Sequence, residues 1–156
     1  MFLRTMTELL ESQGIPYAVE EHGKPVVKTV MLKIDGGLAM ALIPVHHRPR
    51  LDLLKEVLNA GSMRAADDQE VLDVFPGCDA DAVPPFGTLH GMRVFVSSDV
   101  AQRSNILVAA GSRRRLLRMA YSDYAGLVRP FVFPISCPDP EYVTETPERF
   151  ATAGTV

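Results

Sequence analysis

The chain has no tryptophan, only two cysteines, and no apolar run long enough to cross a membrane. Cys78 and Cys137 lie far apart, and neither a CxxC pair nor a Cys/His zinc spacing occurs, so a reduced, cytoplasmic setting is expected. No glycine-rich phosphate loop follows the first expected strand, which weighs against a nucleotide-cofactor fold. Metal is not expected either. His46 and His47 are adjacent, so on a strand they point to opposite faces, and no carboxylate stands at ligand spacing nearby. The opening "MFLRTMTELLESQG" lacks an apolar signal core and carries Glu8 and Glu11, so it reads as a helix. A broadly basic surface is also missing: the net charge is −3, which argues against nonspecific coating of nucleic acid, and no DNA partner is expected.

What is present is a 47% hydrophobic chain of 156 residues, enough for one domain with a substantial core. Charge is unevenly spread. "HHRPR" (46–50) and "RRRLLR" (113–118) are basic, while "DDQE" (67–70) and the C-terminal tail are acidic. Either basic run reads first as a solvated face; a polyanion would bind locally, near these arginines.

Thr5 followed by Glu8 has the spacing of a capping box, and the helix it opens stops at Gly14. "IPYAVEE" (15–21) alternates as a strand. A second strand over 26–34 turns at Asp35-Gly36-Gly37 into a third, Leu38 to Val45. Leu51, Leu54, Val57 and Leu58 have helical spacing before Gly61, and Asp67 with Glu70 opens another short helix. "DADAVPPFGTLHG" (79–91) is a loop stiffened by a double proline. Strands are expected at 92–97, 105–110 and 114–120, with a helical turn near 99–103, and Ser122 caps a last helix. The sum is an α/β (α+β) domain with a curled, mixed, largely antiparallel sheet flanked by helices. One domain is expected over 1–130, followed by a proline-rich tail, 131–156, extended or disordered past about 138.

Lys28 is the anomaly. Val26, Val30, Leu32 and Ile34 alternate with it on one face of the second strand, while Val27, Thr29, Met31 and Lys33 make a more polar face. The bland account is a lysine that snorkels along its own stem to solvent; the functional one is a cation in a partly closed pocket, set to hold a phosphate or carbonyl oxygen. The "DAVPPFG" turn (81–87) is a second site of interest, because a rigid turn holds backbone N–H and C=O groups at fixed positions. Ser97, Ser98 and Asp99 read as a turn with a cap, since no base is suggested beside them.

In chain order, "GIPYAVEEH" (14–22), "VKTVMLKIDG" (27–36), "ALIPVHHRPRLDLLKEVL" (41–58), "FPGCDADAVPPFG" (75–87), "RVFVSSDV" (93–100), "VAAGSRRRLLRM" (108–119) and "DYAGLVRP" (123–130) resemble the YbaK/EbsC family. Its members are also described as prolyl-tRNA synthetase-associated or aminoacyl-tRNA editing domains. The resemblance implies hydrolysis of the ester between a wrong amino acid and the terminal ribose of a tRNA, with water as nucleophile and no cofactor. It assigns catalysis to Lys28, Asp81, Pro85 and Gly87, with Lys28 holding the terminal nucleotide rather than attacking the ester. Thr29, His46, Val83, Pro84, Phe86, Gly111 and Arg113 are expected to line the substrate. The implied partner is the acceptor end of an aminoacyl-tRNA, with an aminoacyl-tRNA synthetase as an open second one.

Three departures bear on activity. Asp81 stands where the family's loop has its first glycine, which leaves two alternatives: it still serves in that place, or its carboxylate repels the tRNA phosphate. His22 is only six steps from Lys28, where the family has an alanine-rich helix, so one wall of the cleft is missing. Ser97 stands where the family commonly has an aspartate. The competing expectation is therefore a degenerate module of the same fold that binds tRNA or a protein through Arg113, Arg114, Arg115 and Arg118. A hydrolase of small esters ranks third, since no nucleophile–base pair is evident.

Overall fold

The computed structural model describes residues 2–21 and 23–141. Helix α1 (Phe2–Ser12) turns Met6 and Leu10 into the core and keeps an Arg4–Glu8 ion pair of 3.1 Å outside. The expected capping box is not formed. The helix begins upstream, which leaves Thr5 inside it and gives Glu8 an i,i+4 partner instead. Strands β1 (Tyr17–Glu20), β2 (Val27–Ile34) and β3 (Gly37–Pro44) follow. Asp35 (φ +48°) and Gly36 (φ +85°) join β2 to β3, both left-handed as a two-residue hairpin turn requires.

Next come β4 (His47–Pro49), α2 (Leu51–Leu58), β5 (Met63–Ala65) and α3 (Asp68–Val74). A 3-10 turn (Gly87–His90) lies within the proline loop, before β6 (Arg93–Ser97), α4 (Ser98–Ala101), β7 (Asn105–Ala109) and β8 (Leu116–Ala120). The described chain closes with α5 (Tyr121–Val128), β9 (Phe131–Phe133) and β10 (Ser136–Pro138). Ala120, not Ser122, occupies the N-cap of α5.

The strands form a five-stranded sheet in the order β5-β2-β3-β6-β9, a three-stranded sheet β1-β8-β7, and the pair β10-β4. Pairing is mixed: β2 runs antiparallel to β3 and β5, while β6 runs parallel to β3 and β9. The Val26 N–H donates to the Leu107 carbonyl at 3.1 Å, linking the start of the large sheet to the small one.

Both faces of the large sheet are covered. Val27, Met31, Met40, Leu42, Val94 and Val96 face a core shared with α1, α3, α5 and the small sheet. Leu32, Ile34, Ala39, Ala41, Ile43 and Phe95 face a second, smaller core under Leu54 and Ile135. The polar face expected for β2 is therefore wrong at Val27 and Met31, which are buried. A strand covered on both sides needs apolar residues at nearly every position, and a period of two then says little about inside and outside.

The expected domain boundary at 130 falls inside the folded region. β9 extends the large sheet, β10 pairs with β4, and Ile135 is 1% exposed. Residues 142–156 of the expected tail lie outside the described ones. Among described residues no helix is long and apolar enough to cross a membrane.

The capping box at α3 forms as the spacing predicts: Asp67 accepts from the Glu70 N–H at 2.8 Å, and Glu70 accepts from the Asp67 N–H at 3.0 Å. Glu70 also receives a two-pronged contact from Arg64, both arms 2.8 Å, with Lys33 at 3.4 Å. Arg64 foremost holds its carboxyl down at about 2, against an ordinary 4.5. A depressed carboxyl stabilises the fold fully above its unfolded value and stops doing so as pH falls through its folded one. Thermal midpoints measured from about pH 6 down to pH 2 should therefore fall more steeply in the wild type than in Glu70→Gln, which lacks this titration.

Candidate functional site

Lys28 lies opposite Ile43 in the β2–β3 ladder, so its side chain leaves the sheet on the side of the smaller core, at the end near β4. It is half-buried. Burial pushes its pKa below the ordinary lysine value, and the Asp139 carboxylate opposes that shift. His47, 7% exposed, is close enough to feel the lysine's charge. Burial chiefly, then His46, pushes the His47 imidazole toward its neutral form, with Lys28 adding to the effect and Asp99 opposing it.

His47 Nδ1 lies 2.8 Å from Ser136 Oγ, which lies 2.9 Å from the Oγ of buried Ser97. The pair has the spacing of a nucleophile and base, but Asp99 Oδ2 approaches the same ring nitrogen, at 3.8 Å. A triad needs its carboxylate on the other nitrogen, so the group acts as a clamp between β10, β4 and β6. His46, by contrast, is exposed, its ring edge-on to His47 at 4.8 Å. Among described residues no group of three or more His, Cys, Asp or Glu could hold a metal.

The proline loop is built on the opposite face. Val83 and Phe86 belong to the larger core, and residues 82–87 are all buried. Phe86 meets Tyr124 edge-on at 5.5 Å, and the Tyr124 hydroxyl donates to the Pro85 carbonyl at 2.6 Å. Gly87 is fixed by crowding: a Cβ there would stand 2.9 Å from Met40 Sδ, 3.1 Å from Val94 Cγ2 and 3.2 Å from Met92 Cβ. Gly111 (φ +98°) ties the loop's other side, its N–H donating to the Ala82 carbonyl and its carbonyl accepting from the Asp79 N–H, both at 2.8 Å. Arg113 completes the join. Its backbone N–H donates to Asp79 Oδ2 at 3.0 Å, and its Nε reaches both oxygens of Asp81 at 3.1 Å. The Asp81 charge is thus met locally by an exposed arginine.

The expected residues therefore form two groups. Asp81, Val83, Pro84, Pro85, Phe86, Gly87, Gly111 and Arg113 come together around the loop. Thr29, paired with Leu42, shares that face; Lys28 and the clamp stand on the other. The link between β1 and β2 is short but not idle, since Gly23 sits over Leu116 of β8. Four surface clefts, of about 440, 410, 380 and 270 Å³, are lined by other residues than Lys28 and the 81–87 loop. Sequence reasoning weighed His47 only as a metal ligand and Ser97 only as a turn residue or a replaced aspartate, and it passed over Ser136 and Asp139. Ser136 and Asp139 fell in the segment read as tail, where only the alternation of Phe131, Phe133 and Ile135 hinted at a strand.

A family model described as an aminoacyl-tRNA editing domain matches residues 3–127. No curated protein matches the chain in sequence. Among solved structures, the hypothetical protein APE2540 is 19% identical with a TM-score of 0.74, covering 85% of this chain and 99% of its own. A candidate trans-editing enzyme for prolyl tRNA synthetase is also 19% identical, with a TM-score of 0.72 and coverages of 86% and 96%. A candidate signal transduction protein from Marinobacter aquaeolei VT8 gives a TM-score of 0.71 at 16% identity, over 95% of this chain and 34% of that one. At these identities the structural likenesses establish the fold.

Proposed function

The chain belongs to the family of aminoacyl-tRNA editing domains, and from that premise we propose that it hydrolyses the ester of a mischarged tRNA, with water as the nucleophile. The observation that carries the proposal is the family match across most of the folded region, together with a half-buried cation in the strand motif "VKTV". A lysine ammonium beside a phosphate of the terminal nucleotide makes a charge-assisted contact and draws the RNA end into register. The loop from Asp81 to Gly87, held by Tyr124 and Gly111, is assigned to the ester and amino-acid pocket by the family resemblance alone, since its residues 82–87 are buried and it stands on the sheet face opposite Lys28. A substrate of this kind supports a cytoplasmic setting.

Such an enzyme answers a physical need. A synthetase pocket discriminates a missing methylene by only about 1–3 kcal/mol, so a second, hydrolytic sieve is required. The fold neighbour described as a candidate trans-editing enzyme for prolyl tRNA synthetase makes mischarged prolyl tRNA the first substrate to try. The test is a panel of misacylated tRNAs, scored for loss of the amino acid above the rate in buffer. Turnover of at least one, with correctly charged tRNA spared, is the expected result. The Asp81 carboxylate in place of a glycine favours the second reading, a binding module without hydrolysis. A panel left intact throughout, yet retarded by the protein in a gel, would select that reading.

A further inference from the structure

The 440 Å³ cleft is lined by Val26, Arg103, Ser104, Asn105, Leu107 and Arg118, and none of these enters the site above. Val26 and Leu107 make the apolar part of its floor, joined where the Val26 N–H bonds the Leu107 carbonyl across the junction of the two sheets. Leu107 and Arg118 are direct partners in the β7–β8 ladder, so the guanidinium rises beside the apolar floor. Arg118 donates through Nε to Glu20 at 2.6 Å, which fixes the fork and leaves its two terminal nitrogens for another acceptor. Across the cleft, Arg103 is steadied by the Asn105 carbonyl at 3.4 Å from its Nε. Ser104 and Asn105 add a hydroxyl and an amide, both exposed.

Two cations and one carboxylate leave a single net positive charge above an apolar floor, on a protein whose total charge is −3. That is the chemistry of one phosphate with an attached base: the arginines take the oxygens, the floor takes a ring face, and the amide reads an edge. Position narrows the ligand further. Val26 lies two residues before Lys28 on one continuous segment, roughly 7 Å along an extended chain. One nucleotide step of an unstacked strand bridges such a gap.

We infer that this cleft holds a nucleotide of the single-stranded acceptor end, next to the terminal nucleotide proposed for Lys28. The inference rests on the editing reading for the identity of the RNA, but its test needs no ester. Fluorescent single-stranded RNA ending in CCA, uncharged, is titrated with the full chain at two salt concentrations. Arg103→Ala and Arg118→Met should each weaken binding about tenfold and lower the salt slope by about 0.7, as expected for one lost phosphate contact on a single strand. Glu20→Gln should tighten binding, because it removes the carboxylate that competes for Arg118; a merely structural Arg118–Glu20 pair would not do this. Unchanged affinity and slope in both arginine variants, or weaker binding in Glu20→Gln, would overturn the inference. RNA that binds through the arginines while no mischarged tRNA is hydrolysed would leave this cleft standing and remove the deacylase instead. Inorganic phosphate that displaces the RNA at equal concentration to adenosine monophosphate would show a bare anion site and count against a nucleotide.

Discussion

Replacing Lys28 by methionine should lower deacylation of the best substrate in the panel about 10- to 100-fold and leave the thermal midpoint within about 2 °C of wild type. The rate estimate follows from the contact proposed: a hydrogen bond to a charged group contributes roughly 1.5–3 kcal/mol, and each 1.4 kcal/mol is tenfold. The stability estimate follows from the environment observed. Methionine keeps the unbranched stem that packs beside Val30 and Ile43 and removes a charge that burial disfavours. Asp139 loses a favourable neighbour, which offsets part of that gain. Equal rates in variant and wild type would end the role assigned to Lys28.

The same geometry fixes the sign of a pH effect. The phosphate contact needs the protonated ammonium, and burial pulls its pKa down while Asp139 pulls it up. Activity should therefore fall on the alkaline side earlier than for an exposed lysine. Asp139→Asn should move that limb to lower pH still, because only the downward pull remains.

How much of this was legible in the sequence depends on which interactions are local. The Asp35-Gly36 hairpin and the Asp67–Glu70 capping box were legible, because each is decided within four residues. The loop's composition gave its stiffness. Its attachment was not legible: the Gly111, Arg113 and Tyr124 bonds each span about thirty residues or more, and no periodicity encodes them. Lys28 was legible as an oddity, yet the face it leaves by was not placed relative to the loop. Alternation within β2 tells which residues share a side, but what covers each side is set by β9, β10 and α2 on one and by the loop on the other. The clamp of His47, Ser97 and Ser136 was invisible for the same reason, since it joins three strands from distant parts of the chain.

The largest effect on stability is expected at the loop, from Phe86→Ala. Phe86 is 1% exposed and sits in the larger core beside Val83, so its removal leaves a cavity that the double proline cannot collapse into. Losses of about 3–5 kcal/mol are usual for such a change, which for a chain of this size lowers the thermal midpoint by roughly 10 °C or more. Tyr124→Phe separates packing from positioning. It keeps the ring against Phe86 and deletes only the hydroxyl that satisfies the Pro85 carbonyl, at a cost of about 1–3 kcal/mol. If the loop backbone shapes the ester pocket, Tyr124→Phe should slow deacylation well below what its unfolded fraction explains at 25 °C, with RNA affinity unchanged. A rate that merely tracks the folded fraction would mean that the bond to Pro85 stabilises the domain and does nothing for the pocket. A Phe86→Ala midpoint within a few degrees of wild type would show that the loop is held elsewhere.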